Sequence, residues 1–235
     1  MFQTVRYEVQ GALATITLDD PSTRNALGPD AADLIMQFAR AAGADNTVRL
    51  LALTGSGGVF CSGAAIRAWE ALPDAGETLT DRGTELCDLL ENLPIPVVAC
   101  LSGHAVGGGA ELALAADWRI VSPAAEFRFV HTGFGLVPGF GGLARLELIV
   151  GRAAALRLLA TRATVESHDA VALGLANAVV PIGDQQDWLV EMTTMLEGSP
   201  RGAVAAIKHA FATGDERSAF LRVWPDRELP ERFGS

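Results

Sequence analysis

The sequence predicts an α/β protein whose sheet-forming core comes first and whose C-terminal part is helical. Three observations carry this reading. Residues 48–54 and 96–101 are continuous apolar runs, the composition of strands covered on both faces. A segment of polar helical character lies between them. From residue 143 onward nearly every segment is helical, and strands alternating with helices early, then helices late, mark an α/β core with a helical tail.

Each element has its own signal. Two alternating segments, 4–9 and 12–18, flank Gln10-Gly11 and predict a β-hairpin, which Asp19-Asp20-Pro21 ends. Pro29 opens a helix with Leu34, Ile35 and Phe38 on one side, stopping near Gly43. Residues 48–54 form a buried strand and 55–63 a glycine-rich loop. A polar helix over residues 77–92 precedes the strand at Val97, and Gly107-Gly108-Gly109 turns that strand into an alanine- and leucine-rich helix. Val121, Phe127 and Phe129 mark further short strands. Helices follow at residues 143–150, 152–160, 166–173, 184–197 and 201–212, with Val179-Val180 a short extended link. Neither an internal repeat nor a low-complexity segment is visible, and no long linker interrupts the first 200 residues.

Bulk composition narrows the function. With 235 residues, 49% of them hydrophobic, the chain is ample for one substantial core. A net charge of −10 argues against nucleic acid or an anionic membrane as partner, although local arginines and helix N-termini can still hold a small anion. No apolar run approaches the roughly 20 residues of a membrane span. Residues 1–8 carry no hydrophobic leader and read as a strand, so a cytoplasmic location is expected. Cys61, Cys87 and Cys100 are odd in number and lack ligand spacing, which predicts buried thiols, no disulfide framework and no metal site.

The chemistry concentrates at Gly107-Gly108-Gly109-Ala110-Glu111. Backbone N–H groups at a helix start are unpaired and hold developing negative charge, and Glu111 places a carboxylate in the first turn of an otherwise apolar helix. That combination suits acid/base chemistry on a carbonyl compound. A second donor is expected from Phe60-Cys61-Ser62-Gly63-Ala64-Ala65, another loop after a buried strand. The bland alternative is that both loops need glycine for tight turns. The glycines are not spaced as a dinucleotide fingerprint, no P-loop occurs, and Ser102-Gly103-His104 is not a nucleophile elbow.

Four motifs, taken together, resemble the enoyl-CoA hydratase/isomerase, or crotonase, superfamily: Arg24-Asn25-Ala26-Leu27, Phe60 to Ala64, Ser102 to Ala113, and Gly135-Leu136-Val137-Pro138-Gly139-Phe140-Gly141-Gly142. They occur in the family's order over nearly the whole chain. The resemblance implies a crotonase fold of repeated ββα units, an acyl-CoA thioester substrate with coenzyme A as part of it, no further cofactor, and a homotrimer or hexamer. It also implies an oxyanion hole made by the Ala64 and Gly108 N–H groups. The core would span residues 1–180, and a helical segment, 181–235, would serve trimerisation and cap the site.

The motif departs from the family at one place. Hydratases of this family use two glutamates; the first falls on Glu111, and the second falls in Phe127-Arg128-Phe129-Val130-His131, where this chain has His131. A carboxylate paired with an imidazole differs in charge and reach from two carboxylates. Residues 128–131, the glycine run 135–142 and Phe220-Leu221-Arg222-Val223-Trp224 resemble ethylmalonyl-CoA decarboxylases within the superfamily. Decarboxylation of ethyl- or methylmalonyl-CoA is therefore the leading expectation. Hydration or isomerisation of a short enoyl-CoA, and a non-catalytic acyl-CoA-binding protein, are the rivals. Glu111 and His131 are the candidate catalytic residues. Arg24 and Arg67 are expected near the coenzyme's phosphates, against the alternative of solvated charges, and Ala26, Gly63, Ala65 and Ile66 line the same site. Trp69 is weighed between the acyl pocket and the core. His104 is read as a structural or subunit-contact residue, and Lys208 and Phe211 lie on the late helix that caps coenzyme sites in related enzymes.

Overall fold

A computed structural model describes residues 4–225 and Arg227. The expectations placed on residues 1–3, and on the rest of the chain beyond Pro225, lie outside the described residues. The chain opens with the hairpin β1 (Val5–Gln10) and β2 (Leu13–Leu18), antiparallel as the alternation predicts. Strands β3 (Leu50–Gly55), β5 (Val97–Leu101), β7 (Trp118–Val121) and β10 (Ala178–Val179) extend it as parallel neighbours, in the order β1-β2-β3-β5-β7-β10.

The central strands are apolar throughout because both faces of this sheet are covered. Leu51, Leu53, Val97, Ala99 and Leu101 belong to the main core, which also takes residues of α1 (Pro29–Ala44), α3 (Ala75–Glu91) and α4 (Gly108–Leu114). Leu50, Ala52, Val98, Cys100 and Ile120 belong to a second cluster, with Leu189 and Met192 of α8 (Gln185–Glu197). Burial of apolar surface on two sides of one sheet is the main favourable term holding these layers.

A second, smaller sheet has the order β4-β6-β8-β9, formed by β4 (Val59–Cys61), β6 (His104–Val106), β8 (Glu126–Arg128) and β9 (Thr164–Glu166). β4, β6 and β8 are parallel, and β9 runs antiparallel to β8. Each of the first three follows a long strand of the large sheet after a short turn, and a helix comes next: α2 (Ile66–Glu70) and α3 after β4, α4 after β6, α5 (Gly142–Val150) later after β8. The chain therefore repeats a strand–strand–helix unit although its residues show no repeat. What recurs is the backbone path, and each copy carries different side chains.

Several expectations need correction. The glycine-rich stretch 55–63 contains β4, and β6 lies in the stretch leading to the glycine run. β9 precedes α7 (Ser167–Ala172) at the start of the expected helix 166–173. These strands are three residues long, too short for a period-2 pattern to show. Phe129 is buried but not in a strand; β8 ends at Arg128, and the Phe129 N–H donates to the Ala163 carbonyl. Helices α6 (Arg152–Ala160) and α9 (Arg201–Thr213) fall where expected. An unexpected helix, α10 (Glu216–Val223), follows, capped by Asp215 accepting from the Ser218 N–H at 2.9 Å.

The C-terminal helices are tied back to the sheet by charge. Lys208 of α9 is buried and paired with Asp117, whose Oδ2 also accepts the Val97 N–H at 2.7 Å at the start of β5. Burial pulls the Lys208 pKa down, and Asp117 opposes that shift. All three cysteines are free and buried, and burial pushes their thiols up, to about 11 for Cys61 and about 12 for Cys100, with Cys87 also raised. Among the described residues no helix is long and apolar enough to cross a membrane, and no group of three or more His, Cys, Asp or Glu side chains is placed to hold a metal ion. Replacing Asp117 by Ala leaves a buried ammonium unpaired and a strand amide unmet. Because Asp117 is partly exposed, the expected loss is about 2 kcal/mol, below the range for fully buried pairs. A urea unfolding midpoint unchanged from wild type would refute the anchoring role.

Candidate active site

The site is built where two strand-to-helix turns meet. The first turn runs from β4 through Gly63 and Ala64 into α2. It is held by the segment at Leu27, which forms a parallel bridge with Ala64: the Leu27 N–H donates to the Gly63 carbonyl and the Ala65 N–H to the Leu27 carbonyl. Trp69 is buried and its Nε1–H donates to the same Leu27 carbonyl at 2.8 Å, so its polar end is engaged within this turn. Asn25, also buried, donates from Nδ2 to the carbonyls of Ser56 and Val59 and accepts the Asp20 N–H. Arg24 and Asn25 both have left-handed backbone (φ 56° and 60°), and the Ser62 N–H donates to the Arg24 carbonyl. Arg24, Ala26, Gly63, Ala64 and Ala65 therefore lie on two adjacent segments. The Arg24 and Arg67 side chains are exposed, as is Ile66.

The second turn is Gly107-Gly108 at the start of α4. A methyl group built on Gly108 would lie 3.4 Å from the Ala64 nitrogen, and one built on Gly63 would lie 3.8 Å from the Gly108 nitrogen. The two amides thus border one small space. Neither donates a hydrogen bond among the described residues. The ring of Phe140 closes the other side, with Cε2 2.7 Å from the methyl position on Gly108, and the same ring overlaps the methyl position on Gly83 of α3. Only glycine lets this phenyl ring sit between the two helices.

Glu111 lies one turn into α4 and is buried. Its Oε2 accepts the N–H groups of Phe140 at 2.8 Å and Gly142 at 3.0 Å; its Oε1 accepts the Gly139 N–H at 3.2 Å and lies 3.0 Å from His131 Nε2. Because an ionised carboxylate only accepts, Nε2 carries the hydrogen. His131 begins a short 3-10 helix (His131–Phe134) after β8 and is buried, with Nδ1 lacking any hydrogen-bond partner. The loop that supplies the three amides is fixed in turn by Arg145 of α5. That buried guanidinium donates to the Phe140 carbonyl at 2.7 Å, to Asp88 at 2.5 Å and to Glu91 at 2.8 Å and 3.0 Å, the last two residues on α3.

The candidates outside this cluster lie elsewhere. His104 faces Glu126 at 3.5 Å, beside the Arg128–Glu126 pair on the small sheet. Lys208 is engaged by Asp117, and Phe211 is exposed. Sequence reasoning missed Arg145 and the Gly139, Phe140 and Gly142 amides. Backbone donors leave no trace in side-chain type, but an arginine inside the apolar helix Gly142–Val150 is a buried charge in search of partners, and that signal was available.

The sequence profile of the enoyl-CoA hydratase/isomerase family matches residues 8–223. The chain belongs to that family. The chain is similar to an ethylmalonyl-CoA decarboxylase of Gallus gallus, 37% identical over 177 residues, a span that covers 71% of this chain and 57% of that protein. The chain thus aligns with little more than half the length of this relative. A probable enoyl-CoA hydratase of Rhodobacter capsulatus is 36% identical over 216 residues, covering 91% of this chain and 82% of the relative. Among solved structures, a putative enoyl-CoA hydratase of Thermobifida fusca in complex with acetoacetyl-CoA superposes with a TM-score of 0.85 at 26% identity, covering 95% of this chain and 96% of the other. The two-sheet architecture described above is the crotonase fold.

Within this family member, Glu111→Gln replaces two acceptor oxygens by one. Either the Phe140 and Gly142 N–H groups or those of Gly139 and His131 then face an NH2 group. An unmet buried donor costs about 1–3 kcal/mol, so the expected loss of stability is about 3 kcal/mol, read from urea unfolding at unchanged slope. A loss below about 1 kcal/mol would mean that the loop amides do not depend on the carboxylate.

Proposed function

We propose that this protein is an acyl-CoA enzyme that stabilises a thioester enolate between the Ala64 and Gly108 N–H groups, and that its reaction is decarboxylation of a short alkylmalonyl-CoA such as ethylmalonyl- or methylmalonyl-CoA. The acyl-CoA part is supported by the family, by the coenzyme A thioester bound to the Thermobifida fusca neighbour, and by two free amides bordering one space. Two convergent N–H groups favour an oxygen that gains charge in the transition state over the neutral thioester oxygen of the substrate.

The observation that carries decarboxylation over hydration is the hydrogen bond between His131 and Glu111. Adding water across an enoyl double bond calls for two groups that position and deprotonate water and protonate carbon, the task of paired carboxylates. Here one carboxylate is present, buried and engaged by four donors, and an imidazole takes the second place. Losing carbon dioxide needs no base, because the substrate supplies the electron pair. The 37% identity to an ethylmalonyl-CoA decarboxylase points the same way. Hydration or isomerisation of a short enoyl-CoA is the second reading, favoured by the relatives named as probable hydratases. A binding protein without chemistry is a third, and it gives no reason for an ionisable pair buried beside two free amides.

The same reading assigns Arg24 and Arg67 to the coenzyme phosphates. Ala26, Gly63, Ala65 and Ile66 line the thioester and pantetheine path, with Trp69 supporting that wall from inside. No cofactor beyond the substrate's coenzyme A is required. A cytoplasmic homotrimer or hexamer, with residues 181–235 making subunit contacts and capping the site, completes the proposal.

Incubating the purified protein with ethylmalonyl-CoA, methylmalonyl-CoA and crotonyl-CoA, and following product masses, separates the readings. Loss of carbon dioxide from the malonyl thioesters is expected. Gain of water by crotonyl-CoA without that loss would replace the decarboxylase reading by the hydratase one, and binding with no mass change would leave the third. Gly108→Ala keeps its N–H but places a methyl between the Phe140 ring and the Ala64 amide, in the space the thioester oxygen would take, and kcat is expected to fall about 100-fold or more, comparable to disabling one oxyanion donor. Turnover within threefold of wild type would rule out the hole.

A further inference from the structure

Resting on the acyl-CoA reading above, we propose that Phe140 is the specificity-determining residue of the acyl site. Its ring limits the substituent on the substrate's α-carbon to a short alkyl group and shuts the seam between α3 and α4 to anything longer.

The ring stands where that substituent has to go. Its Cε2 and Cζ atoms lie 2.7 Å and 3.2 Å from the methyl position on Gly108, and the Ala64 nitrogen lies 3.4 Å from the same point. One methyl's width therefore separates the ring's edge from the space between the two free amides. A thioester oxygen held there leaves its carbonyl carbon with two other bonds, one to sulfur and one to Cα. The sulfur leads to coenzyme A, whose proposed path runs along Ala26, Ala65 and Ile66, on the Ala64 side. Cα then faces the opposite wall, and that wall is Phe140.

The wall is fixed. The Phe140 N–H donates to Glu111 at 2.8 Å and its carbonyl accepts from Arg145 at 2.7 Å. The preceding residue is tied to α3, the Thr84 hydroxyl donating to the Gly139 carbonyl at 3.3 Å. The side chain thus leaves the backbone in a set direction, into a slot that exists because Gly83 and Gly108 lack side chains. Farther along the seam Cys87, one turn after Gly83, brings its thiol 4.0 Å from the Glu111 carbonyl, so α3 and α4 meet there directly. The phenyl ring is buried with the main core. It has no internal torsion with which to make room, unlike the flexible methionine that fills irregular gaps. A longer chain has to displace it from close packing. Truncation to alanine leaves an apolar slot the size of a benzene ring, the kind that stays dry and takes apolar guests.

Binding of butyryl-, hexanoyl- and octanoyl-CoA, followed by isothermal titration calorimetry, tests this, because neither proposed reaction turns over a saturated thioester. Wild type is expected to bind octanoyl-CoA about tenfold or more weakly than butyryl-CoA, the cost of overfilling a packed site. In Phe140→Ala each added methylene is buried and gains about fourfold, so the ratio of octanoyl to butyryl affinity is expected to rise about 100-fold. Phe140→Leu removes less of the core, and its ratio of hexanoyl to butyryl affinity is expected to rise about fivefold. A merely structural ring would alter every chain length by the same factor, so an unchanged ratio in either folded variant overturns the proposal. Wild type that binds octanoyl-CoA as tightly as butyryl-CoA overturns it too, whether or not the variants fold. Wild type that binds none of the three sinks the acyl-CoA reading and the size limit together, whereas butyryl-CoA binding without dependence on chain length sinks the size limit alone.

Discussion

A single buried carboxylate organises the reactive end of this molecule. Glu111 sits in an apolar helix, where an ionised group is tolerated only when hydrogen bonds replace the water it has lost. The fold supplies four, three from backbone amides between Gly139 and Gly142 and one from His131. Meeting that demand dictates much of the surroundings. The loop must pass close enough to α4 for its amides to reach, so Gly142 has no side chain where Glu111 lies, and Phe140 is driven between Gly83 and Gly108. Arg145 then fixes the loop from behind and joins it to α3. Two helices, a loop and a 3-10 turn are thereby locked to one residue.

This arrangement also sets the charge pattern. Glu111 is met by neutral amide donors and one imidazole, while the amides of Ala64 and Gly108 donate to nothing among the described residues. With His131 beside Glu111, the cluster holds one carboxylate and one imidazole rather than two carboxylates.

The sequence disclosed the residues that converge here better than what supports them. Gly108, Ala64, Glu111 and His131 carry strong signals because glycine runs, a lone acid in an apolar helix and motif order are all visible in residue type. The long strands were equally legible, since residues 50–53 and 97–101 are apolar on both faces. The short strands at Val59, His104 and Thr164 were not, because three residues are fewer than a pattern needs. Contacts between distant residues were also hidden. Lys208 pairs with Asp117 across 91 positions, and nothing local distinguishes that lysine from a solvated charge; Arg145 pairs with Asp88 across 57, where the apolar helix signals burial of the charge but not its partner. α10 was missed despite a readable start, for Asp215 with Ser218 three residues on is an ordinary cap.

The central claim is that the thioester oxygen lies between two amides while Glu111 stays within its cage of donors. A crystal structure of the protein with acetoacetyl-CoA tests this directly. The account predicts a thioester oxygen about 2.7–3.1 Å from both the Ala64 and Gly108 nitrogens, with Glu111 still accepting from Gly139, Phe140, Gly142 and His131. A thioester oxygen out of reach of either amide, or a Glu111 carboxylate that leaves the loop to touch the acyl chain, would contradict it.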